Sequence, residues 1–305
     1  MRVVPIRTHS TRLSDGRELI YFDDEGSELG ETRSLDRRTL EARPHTPSMR
    51  MDVLTGEWVS VAATRQDRAF LPPKEFDPLA PQTDQNPSEI PDNYDVAVFE
   101  NKSPSFGPGV PDEALTEHQR DDLYGLEWGK ERPAVGRCEV VCFSPESEGS
   151  FGSLTPARAR TVIEAWAHRT AALSAIPGIE QVFIFENRGE EIGVTLPHPH
   201  GQIYAYPFIT PRTRRLLDSV NSMGPDFFST LLAHEQSSER MIARTAHFTA
   251  YVPFAARWPL EIHVLPHRHV HDLSELSPEE KEDLAPFYLT LVRSLDAIYD
   301  SPTPY

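Results

Sequence analysis

The sequence predicts an α+β protein made of two related halves, because one pattern occurs twice along the chain. An apolar strand that begins at Glu139 is followed by a loop and by Leu154-Thr-Pro156. The segment that runs from Glu261 to Leu276-Ser-Pro278 aligns with it without a gap, at an offset of 122 residues. A strand, a loop and a helix start in the same order indicate two copies of one supersecondary unit.

Each copy continues into a segment with helical periodicity. Thr155 and Ser277 are favourable N-cap residues, and the proline after each of them suits the first turn of a helix. We therefore expect helices over 157–174 and 279–299. Apolar residues recur at helical phase in both segments: Val162, Trp166 and Leu173 in the first, and Leu284, Phe287, Leu291 and Leu295 in the second.

Only the first copy continues into further strands. A strand is expected over 180–186, then a turn at Asn187-Arg-Gly189, then a strand within the segment Leu196–Tyr206. In the second copy, the same offset would put the last strand beyond Tyr305. We interpret this as truncation rather than as a split gene, and we expect the second half to be incomplete.

Composition favours a soluble cytoplasmic protein. Hydrophobic residues make up 38% of the 305 residues, which is enough for a sizeable core, and no run of about 18 apolar residues exists that could cross a membrane. The net charge of −17 argues against a nucleic-acid partner, so an anionic ligand would need a local basic pocket. Cys138 and Cys142 are too close in sequence for a useful disulfide, which favours a reducing compartment.

The candidate catalytic residues lie in the segment Leu196-Pro-His-Pro-His-Gly-Gln-Ile-Tyr-Ala-Tyr206. In an extended strand, side chains two residues apart point the same way, so His198, His200 and Gln202 are expected on one face. Histidine has an unperturbed pKa of about 6.5 and is mostly an uncharged nucleophile at neutral pH. It can therefore attack phosphorus, while an amide N–H of Gln202 can stabilise a phosphoryl oxygen. An ordinary strand with satisfied histidines remains the alternative.

This motif resembles the active site of the galactose-1-phosphate uridylyltransferases, a branch of the histidine-triad superfamily. Hydrolases of that superfamily carry a third histidine where this chain has Gln202, whereas the transferase branch carries glutamine. The resemblance extends from about Arg50 to the last residue. It implies a histidine-triad-like fold in which two repeated halves share one continuous antiparallel sheet with helices packed against it. It also implies a homodimer.

The resemblance, with the repeat, suggests three segments. Residues 1–48 form an N-terminal extension with a short hairpin that uses Arg17–Phe22 and the turn after it. Residues 49–210 form the first histidine-triad-like half with the active site, and 211–305 form the second, truncated half.

The resemblance further implies transfer of UMP from UDP-glucose to galactose 1-phosphate. His200 would be the nucleophile that carries a covalent uridylyl group, and His198 would orient it. The substrates would be UDP-glucose, UDP-galactose and hexose 1-phosphates, and no organic cofactor is expected. The substrate-binding positions that the family pattern assigns, besides Gln202, are Arg65, Arg68, Asn101, Lys102, Asn187, Gly193 and Thr195.

A zinc site of the family is depleted in this chain. Where many members have two cysteines and a loop histidine as ligands, this sequence has Asp77, Ala80 and Ser147, and only His198 is kept. One nitrogen ligand does not build the four-coordinate site of structural zinc, so we expect no tight zinc here. At a second metal site of the family, Leu216 replaces the acidic ligand.

Other interpretations stay open at this point. A related nucleotide-sugar phosphorylase or adenylyltransferase could use the same scaffold, and a nucleotide-binding homologue that has lost catalysis is the non-enzyme alternative. A second histidine cluster contains His263, His267, His269 and His271. The repeat places it at a strand exit before a helix, where a structural or surface role, metal binding and catalysis remain alternatives in that order.

Overall fold

The computed structural model describes residues 5–40, 46–62, 76–108, 130–194 and 196–305. Within these residues the helices are α1 (Pro156–Ser174), α2 (Pro211–Met223), α3 (Phe227–Gln236) and α4 (Pro278–Asp296). The strands are β1 (Arg7–Arg12), β2 (Glu18–Asp23), β3 (Ser48–Met51), β4 (Trp58–Val61), β5 (Val96–Glu100), β6 (Glu131–Pro133), β7 (Arg137–Cys142), β8 (Gln181–Phe185), β9 (His200–Tyr206), β10 (Met241–Arg244), β11 (Phe248–Tyr251) and β12 (His263–Pro266).

A six-stranded antiparallel sheet organises the first half, in the order β1-β2-β5-β7-β9-β8. Because side chains alternate along a strand, the sheet buries a different apolar cluster on each face. One face, with Val141, Phe143 and Ile203, packs against α1 and α4. The other face, with Tyr21, Phe99 and Val140, packs against the loop residues Leu79, Ile90 and Tyr94. The predicted α+β class, with antiparallel sheets and packed helices, is confirmed.

The internal repeat is visible in the helices. Both α1 and α4 have 19 residues, and their first and last residues differ by the same 122 positions. Thr155 caps α1 by accepting a hydrogen bond from the backbone N–H of Arg158, and Ser277 caps α4 in the same way through Glu280. The predicted helices are therefore confirmed, although α4 ends at Asp296, three residues before the expected end.

The two halves do not share one sheet in the described part of the chain. In the second half, β10, β11 and β12 form a separate three-stranded sheet, and β3, β4 and β6 form a third. An apolar groove lined by Val182 and Ile184 on one side and by Val264 on the other separates β8 from β12. The expected continuous sheet is thus wrong for these residues, because each of the two facing edge strands pairs only with its own sheet.

The N-terminal strand is confirmed, but its hairpin turn lies on the other side. The chain reverses at Asp15-Gly16, and β1 then pairs with β2 over the whole length of both strands. Gly16 has a φ of +84°, a left-handed conformation that glycine adopts without strain. The turn after β2 leads away from β1, and β2 pairs next with β5. No described helix is long and apolar enough to cross a membrane.

A buried ion pair ties α1 to the sheet. Arg169 in α1 donates two hydrogen bonds to the carboxylate of Glu139 in β7, at 2.9 and 2.7 Å. Both residues are almost fully buried, at 3% and 2% exposure. A buried carboxylate that loses such a partner strongly destabilises the folded protein. The contact therefore holds α1 against β7, the strand beside the motif.

We expect Arg169→Ala to lower the free energy of unfolding by about 3 kcal/mol, because Glu139 loses both hydrogen bonds from Arg169 and, among the described side chains, keeps its contact with Arg137. Arg50→Ala is the matched control, since it removes an exposed pair with Glu131 and should cost less than about 1 kcal/mol. Urea unfolding followed by far-UV circular dichroism measures both values. Equal midpoints for the two variants would contradict the assignment.

Candidate active site

The motif strand presents alternate residues to opposite sides of the sheet. In β9, the backbones of His200 and Gln202 lie opposite Cys142 and Val140 of β7. Both side chains line a pocket of about 550 Å³ on the face that carries Phe99 and Val140. The expected shared face is therefore observed for His200 and Gln202.

Gly201 is the residue between them, and it points into the core under α1. A Cβ at this position would lie 2.9 Å from Cζ of Phe143 and 3.1 Å from the carbonyl oxygen of Phe185. Both distances are shorter than ordinary carbon contacts, so the strand can lie this close to its neighbours only with glycine here. The glycine in the motif thus sets the position of the two functional residues beside it.

His200 is held in one tautomer by the backbone. Its Nδ1 lies 2.7 Å from the carbonyl oxygen of His198, and because a carbonyl only accepts, Nδ1 carries the proton. Nε2 is then left with a lone pair. Burial lowers the pKa of His200 below its usual value, although the hydrogen bond to the His198 carbonyl acts in the opposite direction. The ring is therefore neutral and nucleophilic at physiological pH.

The pocket brings together most of the described residues that the sequence singled out. Asn101 and Lys102 follow β5, and Asn187 and Gly193 belong to the loop between β8 and β9. Gly193 has a φ of +85°, a left-handed conformation that favours glycine, where the backbone borders the pocket. The side chain of Asn101 is buried and accepts the N–H of Ser103. Arg65, Arg68 and Thr195 lie outside the described residues.

His198 takes a different position from the one expected. The strand begins only at His200, and the side chain of His198 is fully buried beside the pocket rather than part of its main wall. Its Nδ1 lies 2.7 Å from Oδ2 of Asp77. Its Nε2 lies 2.8 Å from the carbonyl oxygen of Ser144 and 3.0 Å from the hydroxyl of Tyr94. Burial alone would raise the pKa of Asp77, but hydrogen bonds from His198 and Ser147 lower it, so this carboxyl is ionised.

These contacts do not fit a zinc ion. Asp77, Ser147 and His198 do meet, as the family pattern implies, but Ala80 offers no ligand atom. Both ring nitrogens of His198 already have hydrogen-bond partners, and the direct contact with Asp77 leaves no room for an ion between the two side chains. Among the described residues, no three His, Cys, Asp or Glu side chains converge as metal ligands.

The second histidine cluster lies apart from this pocket, before α4, where the repeat predicted it. His267 contacts the hydroxyl of Thr249 at 2.9 Å, and its other nitrogen lies 3.0 Å from the carbonyl oxygen of Ala246. His271 contacts Glu275 at the surface. The described contacts of this cluster are structural or solvent-exposed.

Three pocket or support residues could not be found by motif reasoning. Glu89 lines the pocket and accepts from Arg17, while Tyr94 and Ser144 contact His198. No local pattern marks any of them, because each acts through a partner distant in sequence: Tyr94 is 104 residues from His198.

Comparison with known proteins identifies the family of this chain. A sequence profile described as galactose-1-phosphate uridyl transferase, N-terminal domain, matches residues 38–210, and the profile for the C-terminal domain matches residues 215–305. The chain belongs to the galactose-1-phosphate uridyl transferase family. A galactose-1-phosphate uridylyltransferase from Streptomyces lividans is 40% identical over 304 residues, which cover 97% of this chain and 78% of that protein.

Solved structures show the same uridyl transferase architecture. A structure described as that of uridylyltransferase is 27% identical, covers 84% of this chain and 78% of its own chain, and superposes with a TM-score of 0.70. The structure of an ADP-glucose phosphorylase from Arabidopsis thaliana is 22% identical, with 85% of this chain and 80% of its own covered and a TM-score of 0.59, which shows a common fold.

For this uridyl transferase family member, we expect Gly201→Ala to destabilise the fold by about 1–3 kcal/mol, because the added methyl group cannot fit against Phe143 and the Phe185 carbonyl. Gly30→Ala is the matched control, because the nearest atom to its new Cβ lies 3.8 Å away. Thermal unfolding measures both variants. Equal melting temperatures would show that β9 can shift freely under His200.

Proposed function

We propose that this protein transfers UMP from UDP-glucose to galactose 1-phosphate by double displacement through a uridylyl group on His200. The observation that supports this most is the hydrogen bond from Nδ1 of His200 to the carbonyl of His198, which leaves Nε2 as a nucleophile at the pocket. The relatives with this name, 31–40% identical over most of the chain, give the substrates their chemical identity.

In the first half-reaction, Nε2 of His200 attacks the α-phosphorus of UDP-glucose. An N–P bond forms, the bond from phosphorus to the bridging oxygen breaks, and glucose 1-phosphate leaves with the electron pair. A phosphate monoester has a second pKa of about 6, so it departs without a strong general acid. A nucleophile that is neutral before attack needs no separate base.

Gln202 suits the transition state of this step. It lines the same pocket as His200 and lies two residues further along β9. A carboxamide N–H can donate to a phosphoryl oxygen as negative charge spreads over it, but the group does not act as a proton donor to a poor leaving group. Glutamine therefore fits transfer between two phosphates better than hydrolysis.

In the second half-reaction, a phosphate oxygen of galactose 1-phosphate attacks the phosphorus held on His200. The N–P bond breaks, UDP-galactose forms, and His200 regains its lone pair. Because glucose 1-phosphate must leave before galactose 1-phosphate binds, the proposed kinetics are ping-pong.

The pocket walls divide into two proposed binding regions. Asn101 and Lys102 would contact the uracil and ribose, since a carboxamide both donates and accepts at a uracil edge. Asn187 and Gly193 would contact the phosphates, together with Thr195, Arg65 and Arg68, whose guanidinium groups would grip phosphate oxygens. We further propose a cytoplasmic homodimer. The two buried cysteines, which form no disulfide, suit a reducing compartment.

We expect radiolabelled UDP-glucose, labelled in the α-phosphate, to leave an acid-labile label on the wild-type protein and none on His200→Ala. His271→Ala is the matched control, because this histidine lies at the surface with a 77% exposed side chain. Parallel reactions with labelled ADP-glucose separate a uridylyltransferase from an adenylyltransferase. Label that persists on His200→Ala would reject the mechanism.

We expect the rate of label transfer to decline only below about pH 6.5, the ordinary histidine pKa. The reason is that the reactive form of His200 is neutral and burial lowers its pKa, so the neutral fraction persists to lower pH than in a free histidine. Single-turnover rates between pH 5 and 8 measure this profile. A midpoint above that of a free histidine would contradict the assigned environment.

A further inference from the structure

We propose that a hydrogen-bond network centred on Asp77, His198 and Tyr94 takes the structural place of the family's zinc ion and positions His200 for attack. The proposal rests on the proposed function for its catalytic readout only. Asp77 and Tyr94 act through His198 and are positioning residues, not catalytic ones.

The ring of His198 is held at both nitrogens. A carboxylate oxygen of Asp77 lies 2.7 Å from Nδ1 of His198, and because a carboxylate oxygen accepts, we assign the proton of this contact to Nδ1. On the opposite edge of the ring, Nε2 lies within hydrogen-bond distance of the Ser144 carbonyl and the Tyr94 hydroxyl. A ring fixed on both edges can neither rotate nor offer a lone pair to a metal ion.

Asp77 is itself anchored. Its other carboxylate oxygen accepts the backbone N–H of Leu79 at 2.9 Å, and its carbonyl accepts the side-chain amide of Asn86 at 2.8 Å. The Tyr94 hydroxyl lies 2.7 Å from the carbonyl of Leu79. The network therefore joins the loop that carries Leu79, a wall of the pocket, to His198, two residues before the first residue of the motif strand.

His198 controls His200 through the backbone. The carbonyl of His198 is the acceptor that fixes the tautomer of His200. The next carbonyl, of Pro199, accepts the N–H of Phe143 at 3.0 Å, so the segment is attached to the sheet on one side and to Asp77 on the other. Loss of the Asp77 contact would let the His198 carbonyl move, and with it the direction of the nucleophilic lone pair.

This arrangement replaces one function of a structural zinc ion, which is to join separate segments of the chain. It does not replace the chemistry of the metal. A zinc ion would join four protein ligands from separate segments. Here a carboxylate, an imidazole, a phenol and a backbone carbonyl join the corresponding segments by hydrogen bonds. These bonds are buried, or partly buried in the case of Asp77, and are thus stronger than in water. The wild-type protein should need no zinc for folding or for activity.

Asp77→Ala tests the positioning role against Asp84→Ala, an exposed aspartate of the same loop. We expect Asp77→Ala to lower kcat on the order of tenfold to a hundredfold with little change in KM for UDP-glucose, because the nucleophile is misdirected while the binding walls remain. Asp77→Asn, which retains an acceptor oxygen, should recover most of the loss. An Asp77→Ala variant with the kcat of Asp84→Ala would overturn the proposal.

A readout independent of turnover is the ¹⁵N NMR spectrum of His198 in labelled protein. We expect a protonated, hydrogen-bonded Nδ1 in the wild type and loss of its slowly exchanging proton signal in Asp77→Ala. This measurement tests the hydrogen-bond network separately from the proposed UMP transfer, because the proton signal is expected even if the protein fails to transfer UMP. A wild-type Nδ1 without a proton would overturn the network and leave the uridylyl mechanism untouched.

Zinc binding supplies the third test. Metal analysis of the purified wild-type protein should find no stoichiometric zinc, and a chelator should leave its activity unchanged. The combined variant Asp77→Cys, Ala80→Cys and Ser147→His restores the family's ligand set, and we expect zinc to rescue its activity. Stoichiometric zinc in the wild type that is lost in His198→Ala, or full activity of the chelator-treated combined variant, would overturn the proposal.

Discussion

The active site depends on one hydrogen bond, from Nδ1 of His200 to the carbonyl oxygen of the residue two positions before it. This bond decides which nitrogen has the lone pair. A side-chain acceptor could change its charge with pH or rotate when substrate binds. A backbone carbonyl does not titrate and has no side-chain torsion to rotate. The position of that carbonyl is therefore the constraint that the neighbouring structure has to satisfy, and several features of the fold act on it at once.

Packing under the motif strand is the first of these features. β9 lies between β7 and β8, so its backbone is hydrogen-bonded on both sides and has no free edge. Gly201 lets the strand lie against Phe143, whose own backbone N–H holds the Pro199 carbonyl. Gly201 and Phe143 thus contact both the apolar core under α1 and the segment that carries the candidate site. A change in core packing at these residues would therefore move His200.

The sequence predicted those features that depend on nearby residues. The two repeated helices, α1 and α4, were predicted to within three residues. Their signals, an N-cap, a following proline and helical periodicity, act over a few turns. The alternation of His200, Gly201 and Gln202 was predictable for the same reason. Sheet pairing was not, since no local preference specifies which distant segments meet. The sheet of the second half differed from expectation for this reason. The proximity of Asp77 and His198, which are 121 residues apart, was implied by the family pattern alone and by no local feature of the sequence.

Partial burial of His200 acts on its charge. Removing solvent from the ring disfavours the charged form and so keeps the ring neutral. In the proposed mechanism, a covalent intermediate has to survive between the departure of one sugar phosphate and the arrival of the next. The neighbouring Gln202 supplies hydrogen bonds but no base that could activate a water molecule. The glutamine therefore favours transfer over hydrolysis, and the contacts of His198 with Asp77, Ser144 and Tyr94 hold the carbonyl that orients the His200 ring.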